Sequence, residues 1–228
     1  MFAPRVISLD LDDTLWPVAP VIAAAEAELW SWLQARHPRT LDGHDAESMR
    51  ALRAHVAGRF PLRSHDLTFL RRRALGEQFA AAGYADAHAA ESPAEEAMEV
   101  FLAARNRVHF YADVRPALER LRSTHRLFAV SNGNADLARC GIGDLFDGHV
   151  TAASAGAAKP DPRIYAALVR LAQVAACDVL HIGDDPEADV MGATRAGLKA
   201  AWLNRTGREW PAELAPPPCT VSTLAQIM

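Results

Sequence analysis

From about residue 113 to the C-terminus, short apolar runs alternate with stretches of helical periodicity. Because strands that alternate with helices build βαβ units, this part of the chain is predicted to form a parallel sheet covered by helices. Strands are predicted at 127–131, 148–152, 179–183 and 200–203, and helices at 115–123, 135–141, 161–173 and 186–196. The proline-containing tail, residues 210–228, is predicted to be a loop followed by a last element at the sheet edge.

One further strand lies far from the others, at the N-terminus. Residues 5–9 (RVISL) have the apolar and β-branched character of a buried strand, whereas residues 17–108 contain almost no strand-like sequence. Apolar residues three and four apart predict four helices there, at 18–36, 45–58, 65–83 and 93–108. The prediction is therefore an α/β fold in which residues 1–14 and 109–228 form one sheet domain and residues 15–108 form an inserted helical domain.

Three carboxylates, Asp10, Asp12 and Asp13, directly follow the first strand. In an open parallel sheet the carboxyl ends of the strands lie at one edge, and such folds bind ligands there. Polar groups follow four of the predicted strands, within 10–14, 131–134, 154–159 and 184–189. We therefore expect these loops to meet at that edge and to form a site.

The acids of two of these loops imply a cation. Asp10 and Asp12 on one loop would repel Asp184, Asp185 and Asp189 on another, and this repulsion would raise their pKa values. A divalent cation removes the conflict. Oxygen ligands of this kind favour Mg²⁺, which also binds substrate phosphate.

Lys159 and Ser131 supply what a phosphoryl group needs in addition, a fixed positive charge and a hydroxyl donor. Among the 24 basic residues, Lys159 and Lys199 are the only lysines, so the chain otherwise carries its positive charge on arginine. A compact ammonium at position 159 therefore indicates a function rather than a solvated surface charge.

Four motifs in these loops resemble those of the haloacid dehalogenase superfamily in their order and spacing. They are DLDDT (10–14), VSNGN (130–134), AKPDPRIY (158–165) and GDDPEAD (183–189). The resemblance implies a Rossmann-like parallel sheet core flanked by helices, with residues 15–108 as an inserted four-helix bundle, a cap domain of the C1 type. Such a cap is expected to close over the sheet edge, exclude water and contact the leaving group of the substrate.

The resemblance also implies a Mg²⁺-dependent reaction through an aspartyl-phosphate. Asp10 is implied as the nucleophile, and Asp12 as the acid that protonates the leaving alcohol and then as the base that activates water. Lys159 would neutralise the nucleophile and the phosphate. The other implied roles are phosphate binding by Thr14, Ser131, Asn132 and Lys159, metal binding by Asp10, Asp184 and the carbonyl of Asp12, and orientation of Lys159 or of metal-bound water by Asp185 and Asp189.

The acid at position 12 separates two reactions of the superfamily. Members that displace halide from carbon lack an acid two residues after the nucleophile, because their leaving group needs no proton. Asp12 therefore favours phosphoester hydrolysis, and a haloacid dehalogenase is the less favoured alternative. A sugar phosphatase and a phosphomutase that depends on a bisphosphate activator stay open. A non-enzymatic binding protein is disfavoured because Asp10, Asp12, Lys159 and Asp184 are all present.

Simpler interpretations exist for several of these residues. A lone DxD is usually a solvated turn, residues 183–189 can open a helix with acids near its N-terminus, and Ser131 can cap a helix. By strand alternation Asp13 should face away from Asp10 and Asp12, so it is predicted to cap local backbone. Three further residues are predicted to be ordinary core residues: His181, Trp30 and Trp32.

Polar residues at helical spacing in the insertion, Asp66, Thr68 and Arg71, are candidates for substrate contact. Ser64 or Asp66 can equally cap the helix. The segments HPRTLDG, HDLTFLRRR, VSNGNADL and HIGDDPEADV resemble the branch that hydrolyses flavin mononucleotide and 5-amino-6-(5-phospho-D-ribitylamino)uracil, an intermediate of riboflavin biosynthesis. The resemblance makes these two compounds the candidate substrates.

The composition fits a globular protein that acts on a small phosphorylated metabolite. A formal net charge of −4, with scattered basic residues, disfavours a nucleic-acid surface. Cys140, Cys177 and Cys219 lie far apart, which argues against a disulfide framework or a zinc site. Because the sequence has neither a signal-peptide pattern nor a run of about 18 apolar residues, we expect a cytoplasmic protein without membrane contact, as a monomer or homodimer.

Overall fold

The structure is a computed structural model that describes residues 4–84 and 92–227. The chain divides into two compact units, residues 1–18 with 108–228 and residues 19–107. The first unit contains a six-stranded sheet, and the second is built from helices. The fold is thus the predicted α/β sheet with an inserted group of helices, whereas the roles of catalytic core and cap stay predictions.

All six strands of the sheet are parallel, in the order β3-β2-β1-β4-β5-β6. The strands are β1 Val6–Leu9, β2 Arg126–Ser131, β3 Gly148–Thr151, β4 Val179–Gly183, β5 Lys199–Leu203 and β6 Thr220–Val221. Every residue of β1 is buried, as expected for a strand covered on both faces of a parallel sheet. Leu9 pairs with Ala129 of β2 and Ile182 of β4, so the carboxyl ends of these three strands are adjacent.

Helices lie between the strands, most of them close to predicted positions. They are α5 Val114–Arg122, α6 Ala152–Ala155, α7 Pro162–Ala172 and α8 Gly192–Arg195, the last preceded by a π-helical segment at Pro186–Met191. The single-turn helix α6 was not predicted, and it begins at the last residue of the strand predicted at 148–152. The apolar face of α7, with Ile164, Tyr165 and Leu168, packs in one buried cluster with Phe128 and Val130 of β2. In the tail, β6 pairs with β5 at the sheet edge, as predicted.

The helix predicted at 135–141 is wrong, because the structure has turns there. The Asp136 carboxylate accepts the Arg139 N–H at 2.9 Å, as at a helix start, but Gly141 already adopts a left-handed φ of 76°. A cap at one end and a helix-ending glycine five residues later leave room for a single turn only.

The second unit contains the four predicted helices. They are α1 Val18–Arg36, α2 Ala46–Arg59, α3 Leu67–Ala81 and α4 Pro93–Arg105. Buried residues four apart on α1, Ala25, Leu29 and Leu33, pack in one cluster with Phe79 of α3 and Phe101 of α4. This periodicity is the signal that predicted the helices. None of the helices within 4–84 and 92–227 is both long and apolar enough to span a membrane.

Candidate active site

Three of the predicted site loops begin at neighbouring strand ends. Asp10 directly follows β1, and its backbone N–H donates to the Ile182 carbonyl of β4 at 2.9 Å. Ser131 is the last residue of β2, and Asp184 directly follows β4. The parallel register therefore brings residues that are more than a hundred positions apart to one edge of the sheet.

Lys159 joins this group from the loop before α7. Its Nζ donates to Asp10 Oδ1, to Asp189 Oδ1 at 2.6 Å and to the Val130 carbonyl at 2.9 Å. Lys159, Asp10 and Asp189 are all buried. A buried ammonium is stable only when it is paired, and here two carboxylates and a carbonyl take up its three protons.

The charges of this cluster shift one another's pKa values. Burial raises the pKa of Asp10 well above its usual value, against the opposing effect of Lys159. Burial alone would raise the pKa of Asp189 too, but Lys159 and His181 hold it below its usual value. Burial, together with repulsion from Asp189 and Asp13, raises the pKa of Asp184 to about 7. Asp189 is therefore the ionised partner of Lys159, and negative charge at Asp10 and Asp184 is not fully balanced.

His181 supports Asp189 from inside the sheet. Its Nδ1 lies 2.8 Å from Ser8 Oγ, and its Nε2 lies 3.1 Å from Asp189 Oδ1. Burial lowers the pKa of His181, so the ring is neutral and donates from Nε2 to the carboxylate. The prediction of a satisfied core histidine is confirmed.

Gly183 allows Asp189 to lie close to the strand. A Cβ atom added at Gly183 would be 2.2 Å from Asp189 Cγ, far inside van der Waals contact. The backbone N–H of Asp185 also donates to Asp189 Oδ2 at 3.0 Å. Both oxygens of Asp189 are thus used within the protein.

The acids at this edge fit a divalent cation. One carboxylate oxygen each from Asp10, Asp184 and Asp189 lie within 4.8 Å of one another. Because Asp189 is held by Lys159 and His181, Asp10 and Asp184 are the carboxylates available to a metal. Burial raises the pKa of both, and repulsion from neighbouring carboxylates adds to it, so a bound cation would favour their ionised forms. The Asp12 carboxylate is not part of this group and accepts the Trp16 indole N–H at 2.9 Å.

The predicted phosphate-binding residues also have partners in the protein. Thr14 Oγ1 donates to Asp184 Oδ1 at 3.3 Å, and Ser131 Oγ accepts the Gly133 N–H at 2.9 Å. The Asn132 amide brackets the backbone of Lys159, donating to its carbonyl at 3.0 Å and accepting its N–H at 2.7 Å. The Asn132 side chain therefore positions the backbone of Lys159. The Ser131 hydroxyl accepts one hydrogen bond and can still donate another, for example to a phosphoryl oxygen.

Two of the acids hold backbone instead of reacting groups. Asp13 adopts a left-handed φ of 59°, which aspartate tolerates, and its carboxylate accepts the Val18 N–H at 2.9 Å where α1 begins. The predicted backbone cap is thereby confirmed. Asp185 Oδ1 accepts the N–H groups of Glu187 and Ala188 at 2.9 and 2.7 Å and so caps the segment Pro186–Met191.

A family model for haloacid dehalogenase-like hydrolases matches residues 4–197. The chain belongs to this family. One relative of the hydrolase is 5-amino-6-(5-phospho-D-ribitylamino)uracil phosphatase YigB of Escherichia coli strain K12, 34% identical over 197 residues, which are 86% of this chain and 82% of the relative. Another is a phosphoserine phosphatase of Thermus thermophilus, 28% identical, with 93% of both chains covered.

A solved structure of similar shape carries a different name. It is a 2-haloacid dehalogenase from Pseudomonas syringae pv. Tomato DC3000, with a TM-score of 0.90 and 38% identity, covering 98% of this hydrolase and 96% of that chain. The comparisons thus agree on the family and the fold, and the names of the relatives include both a phosphatase and a dehalogenase.

Sequence patterns did not reveal several residues that hold the site of the hydrolase. Trp202 Nε1 donates to the Asp184 carbonyl at 2.8 Å, and Arg208 donates to the same carbonyl and approaches Asp184 Oδ2 at 3.5 Å. Arg205 Nε donates to the Thr14 carbonyl at 2.8 Å across 191 positions of sequence. Trp16, which donates to the Asp12 carboxylate, lies only four positions from it, so the local sequence could have indicated this contact.

The candidates in the helical unit are placed as follows. Asp66 caps α3, where it accepts the Phe69 N–H at 2.9 Å, and it pairs with Arg63 at 2.7 Å, so the capping alternative describes this residue. Thr68 lies in the first turn of α3 and is half-buried. Arg71 pairs with Glu26, stacks on the Phe101 ring and lines a cavity between α1, α2 and α3, so it stays a candidate for substrate contact.

Proposed function

We propose that the protein is a Mg²⁺-dependent phosphatase that hydrolyses a small phosphomonoester through an aspartyl-phosphate on Asp10. The main support is Asp12, a carboxylate two residues from Asp10 that the Trp16 indole holds and the metal cluster does not use. Phosphoester cleavage needs a group that delivers a proton to the leaving oxygen, and halide displacement does not. The proposed place of action is the cytoplasm, as a monomer or homodimer.

The first half of the proposed reaction transfers the phosphoryl group. A carboxylate oxygen of Asp10 attacks phosphorus, and the bond between phosphorus and the ester oxygen breaks. The carboxyl group of Asp12 gives its proton to the departing oxygen, so an alcohol leaves. Lys159, which contacts Asp10 in the structure, favours the ionised nucleophile and offsets the charge of the phosphoryl group.

The second half restores the enzyme. Asp12, now a carboxylate, takes a proton from water, and the resulting hydroxide attacks phosphorus. The bond from phosphorus to Asp10 breaks, inorganic phosphate leaves, and Asp10 is free again. The hydroxyls of Thr14 and Ser131 are proposed to hold phosphoryl oxygens, and Mg²⁺ held by Asp10, Asp184 and the Asp12 carbonyl would supply positive charge to them.

The proposed substrates are flavin mononucleotide and 5-amino-6-(5-phospho-D-ribitylamino)uracil, which would place the protein in riboflavin biosynthesis. Support comes from the YigB relative, whose similarity extends over 86% of this chain. The similar phosphoserine phosphatase is the reason to test phosphoserine, sugar phosphates and nucleotides beside them.

The test is phosphate release from this panel, with Mg²⁺ and with EDTA. We expect activity that requires Mg²⁺ and prefers the two proposed substrates. Asp10→Asn should abolish turnover in a folded protein. Asp13→Asn is the matched control: asparagine tolerates the left-handed backbone and keeps an oxygen for the Val18 N–H, so this variant should stay active. A folded Asp10→Asn protein that turns over normally would refute the covalent mechanism.

The similarity to a dehalogenase makes halide displacement the second candidate. It is tested by chloride release from 2-chloropropionate. Asp12→Asn separates the two reactions, because it removes the proton donor that only the phosphatase needs. Chloride release that survives Asp12→Asn, without phosphate release from the wild type, would favour the dehalogenase.

A further inference from the structure

A serine and a histidine lie side by side in the buried centre of the sheet. Ser8 of β1 is the register partner of His181 of β4, and both residues are fully buried. Ser8 Oγ lies 2.8 Å from His181 Nδ1. Buried polar groups are costly unless they are paired, and strands covered on both faces are usually apolar throughout. The presence of this pair in two otherwise apolar strands therefore indicates a role beyond packing.

The hydrogen bonds continue from this pair to the candidate active site. His181 contacts Asp189, Asp189 accepts from Lys159, and Lys159 donates to Asp10. Ser8 and Asp10 are two positions apart, as expected for side chains on one face of an extended chain. A continuous series of hydrogen bonds thus runs from the centre of the sheet to the proposed nucleophile.

His181 and Lys159 contact the same oxygen of Asp189. Its Oδ1 lies 3.1 Å from His181 Nε2 and 2.6 Å from Lys159 Nζ, whereas its Oδ2 accepts the Asp185 N–H. A donor on a carboxylate oxygen stabilises part of its charge, so the bond from His181 weakens the attraction between Asp189 and the ammonium. Because Lys159 also donates to Asp10, a weaker attraction to Asp189 favours its contact with Asp10.

The His181 ring is fixed both in tautomer and in orientation. Burial lowers the pKa of His181, so the ring is neutral and carries a single proton. Because the carboxylate of Asp189 only accepts, this proton is on Nε2, and Nδ1 accepts from the Ser8 hydroxyl. Tyr165 of α7 packs edge-on against the ring, with the two centroids 5.6 Å apart. His181 therefore offers Asp189 one donor in a fixed position.

We propose that His181 is a positioning residue for the reaction on Asp10, an inference that rests on the phosphatase function proposed above. By donating to the Asp189 oxygen that also accepts from Lys159, His181 moderates the attraction of Asp189 for the ammonium and keeps Lys159 on the nucleophile. Ser8 assists by holding the ring in the donating tautomer. Without this donor, Asp189 would draw Lys159 away from Asp10.

The position of Lys159 can be observed directly, because Lys159 and Lys199 are the only lysines of the sequence. NMR of protein labelled with ¹³C at lysine Cε gives one signal for each, and Lys199→Arg assigns them. His181→Phe keeps a ring for Tyr165 but offers Asp189 no donor. We expect this variant to shift the Lys159 signal by more than its linewidth and to leave the Lys199 signal in place. An unchanged Lys159 signal in the folded variant would refute the proposal.

Two further variants separate positioning from packing. His181→Gln keeps an amide N–H near the place of Nε2, so its Lys159 signal should stay close to that of the wild type. His149→Phe makes the aromatic substitution at a half-buried histidine of β3, whose Nε2 has no hydrogen-bond partner within the described residues. It should leave the Lys159 signal unchanged. Equal shifts in His181→Phe and His149→Phe would overturn the proposal.

A double variant guards against loss of folding. His181→Phe leaves the Ser8 hydroxyl without its partner, and adding Ser8→Ala removes that buried hydroxyl. Replacing both partners of a buried hydrogen bond by apolar groups is often nearly neutral for stability. The double variant should therefore fold and show the same shift of the Lys159 signal. A folded double variant with the wild-type signal would likewise refute the proposal.

Kinetics test the consequence for the reaction. With a phosphomonoester that the wild type hydrolyses, His181→Phe should lower kcat roughly tenfold and change KM by less than about threefold, because the lost hydrogen bond acts on the nucleophile. His181→Gln should recover most of the loss. A shifted Lys159 signal with unchanged kcat would overturn the positioning role. A wild type that hydrolyses no phosphomonoester would refute the phosphatase instead, and the Lys159 signal would still decide whether His181 acts on Lys159.

Discussion

Lys159 Nζ donates a hydrogen bond of 2.6 Å to Asp189 Oδ1, and both side chains are only 2% exposed. The two residues lie thirty positions apart in sequence, with α7 and β4 between them. The pair is enclosed by the Val130 carbonyl, the His181 ring and the Asp185 N–H, so its geometry is fixed by groups that do not react. This arrangement lets a lysine stay charged next to Asp10 in a place where water is excluded.

Asp189→Asn tests how much this arrangement contributes to stability. The amide keeps one acceptor oxygen but turns an NH₂ group toward donors from Lys159, His181 or the Asp185 N–H. Leaving buried donors unpaired should lower the free energy of unfolding by about 2 kcal/mol or more. Urea denaturation measures the loss.

Asp185→Asn is the control for that substitution. Asp185 caps the segment Pro186–Met191, and asparagine caps helices about as well as aspartate, so its stability should change by less than about 1 kcal/mol. Equal losses in the two variants would show that Asp189 acts only as an ordinary polar residue.

Gly183→Ala tests the close approach between β4 and Asp189. The new Cβ atom would lie 2.2 Å from Asp189 Cγ, and Asp189 cannot move without breaking its contact with Lys159. We expect a loss of about 1–3 kcal/mol in unfolding free energy, as for other overpacked sites, and a fall in kcat.

The same substitution at Gly58 should have the opposite sign. Gly58 lies in α2, and a Cβ atom there would meet nothing within 4 Å. Alanine is the better helix former, so Gly58→Ala should stabilise the protein by about 0.5–1 kcal/mol. A stabilising Gly183→Ala would mean that Asp189 has room to shift.

Much of this fold could be predicted because its signals are local. Apolar spacing of four residues, as in Ala25, Leu29 and Leu33, marks α1, and the continuous apolar run of β1 marks a strand buried on both faces. The helix at 135–141 failed because periodicity does not reveal how soon a capped turn meets Gly141.

The residues of the candidate site also fall into two groups, those that sequence patterns indicate and those that they do not. Asp10, Lys159 and Asp184 follow strands or open helices, and the parallel topology alone brings them together. Arg205 and Arg208 reach Thr14 and Asp184 from a loop after β5, and their sequence context resembles any exposed arginine. Trp30 was predicted to be an ordinary core residue, but it is only partly buried and lines a cavity between α1, α2 and α3. That cavity depends on how the three helices pack, which no single helix encodes.

Metal binding should depend on pH. In the metal-free protein the pKa of Asp184 is raised to about 7, and burial raises that of Asp10 as well. The proposed Mg²⁺ would bind the ionised carboxylates, so protons would compete with it below about pH 7, and its dissociation constant should rise up to roughly tenfold per pH unit for each proton displaced. Calorimetry between about pH 5.5 and 8.5 should show proton release on binding. An affinity that is constant across this range would contradict the raised pKa of Asp184.

Asp113 should stabilise the protein in a way that acid removes. Its two carboxylate oxygens accept from Arg205 at 3.0 and 3.2 Å and from the Leu224 N–H at 2.7 Å, which ties the start of α5 to the tail. Burial alone would raise the pKa of Asp113, but these hydrogen bonds lower it below its usual value. A carboxyl group with a lower pKa in the folded state adds stability above its unfolded pKa of about 4, and this contribution is lost as pH falls through the folded value.

Asp113→Asn should therefore lower the free energy of unfolding by about 1–3 kcal/mol at neutral pH, because it weakens charge-assisted hydrogen bonds to Arg205. Since the wild type loses the same contribution in acid, the difference between the two proteins should shrink as pH falls below about 4. Urea denaturation across this range measures both effects. Asp144→Asn, at an exposed aspartate of the same unit, is the control and should change stability by less than about 0.5 kcal/mol at every pH. A difference between wild type and Asp113→Asn that stays constant into acid would show that the link acts through its shape and not through its charge.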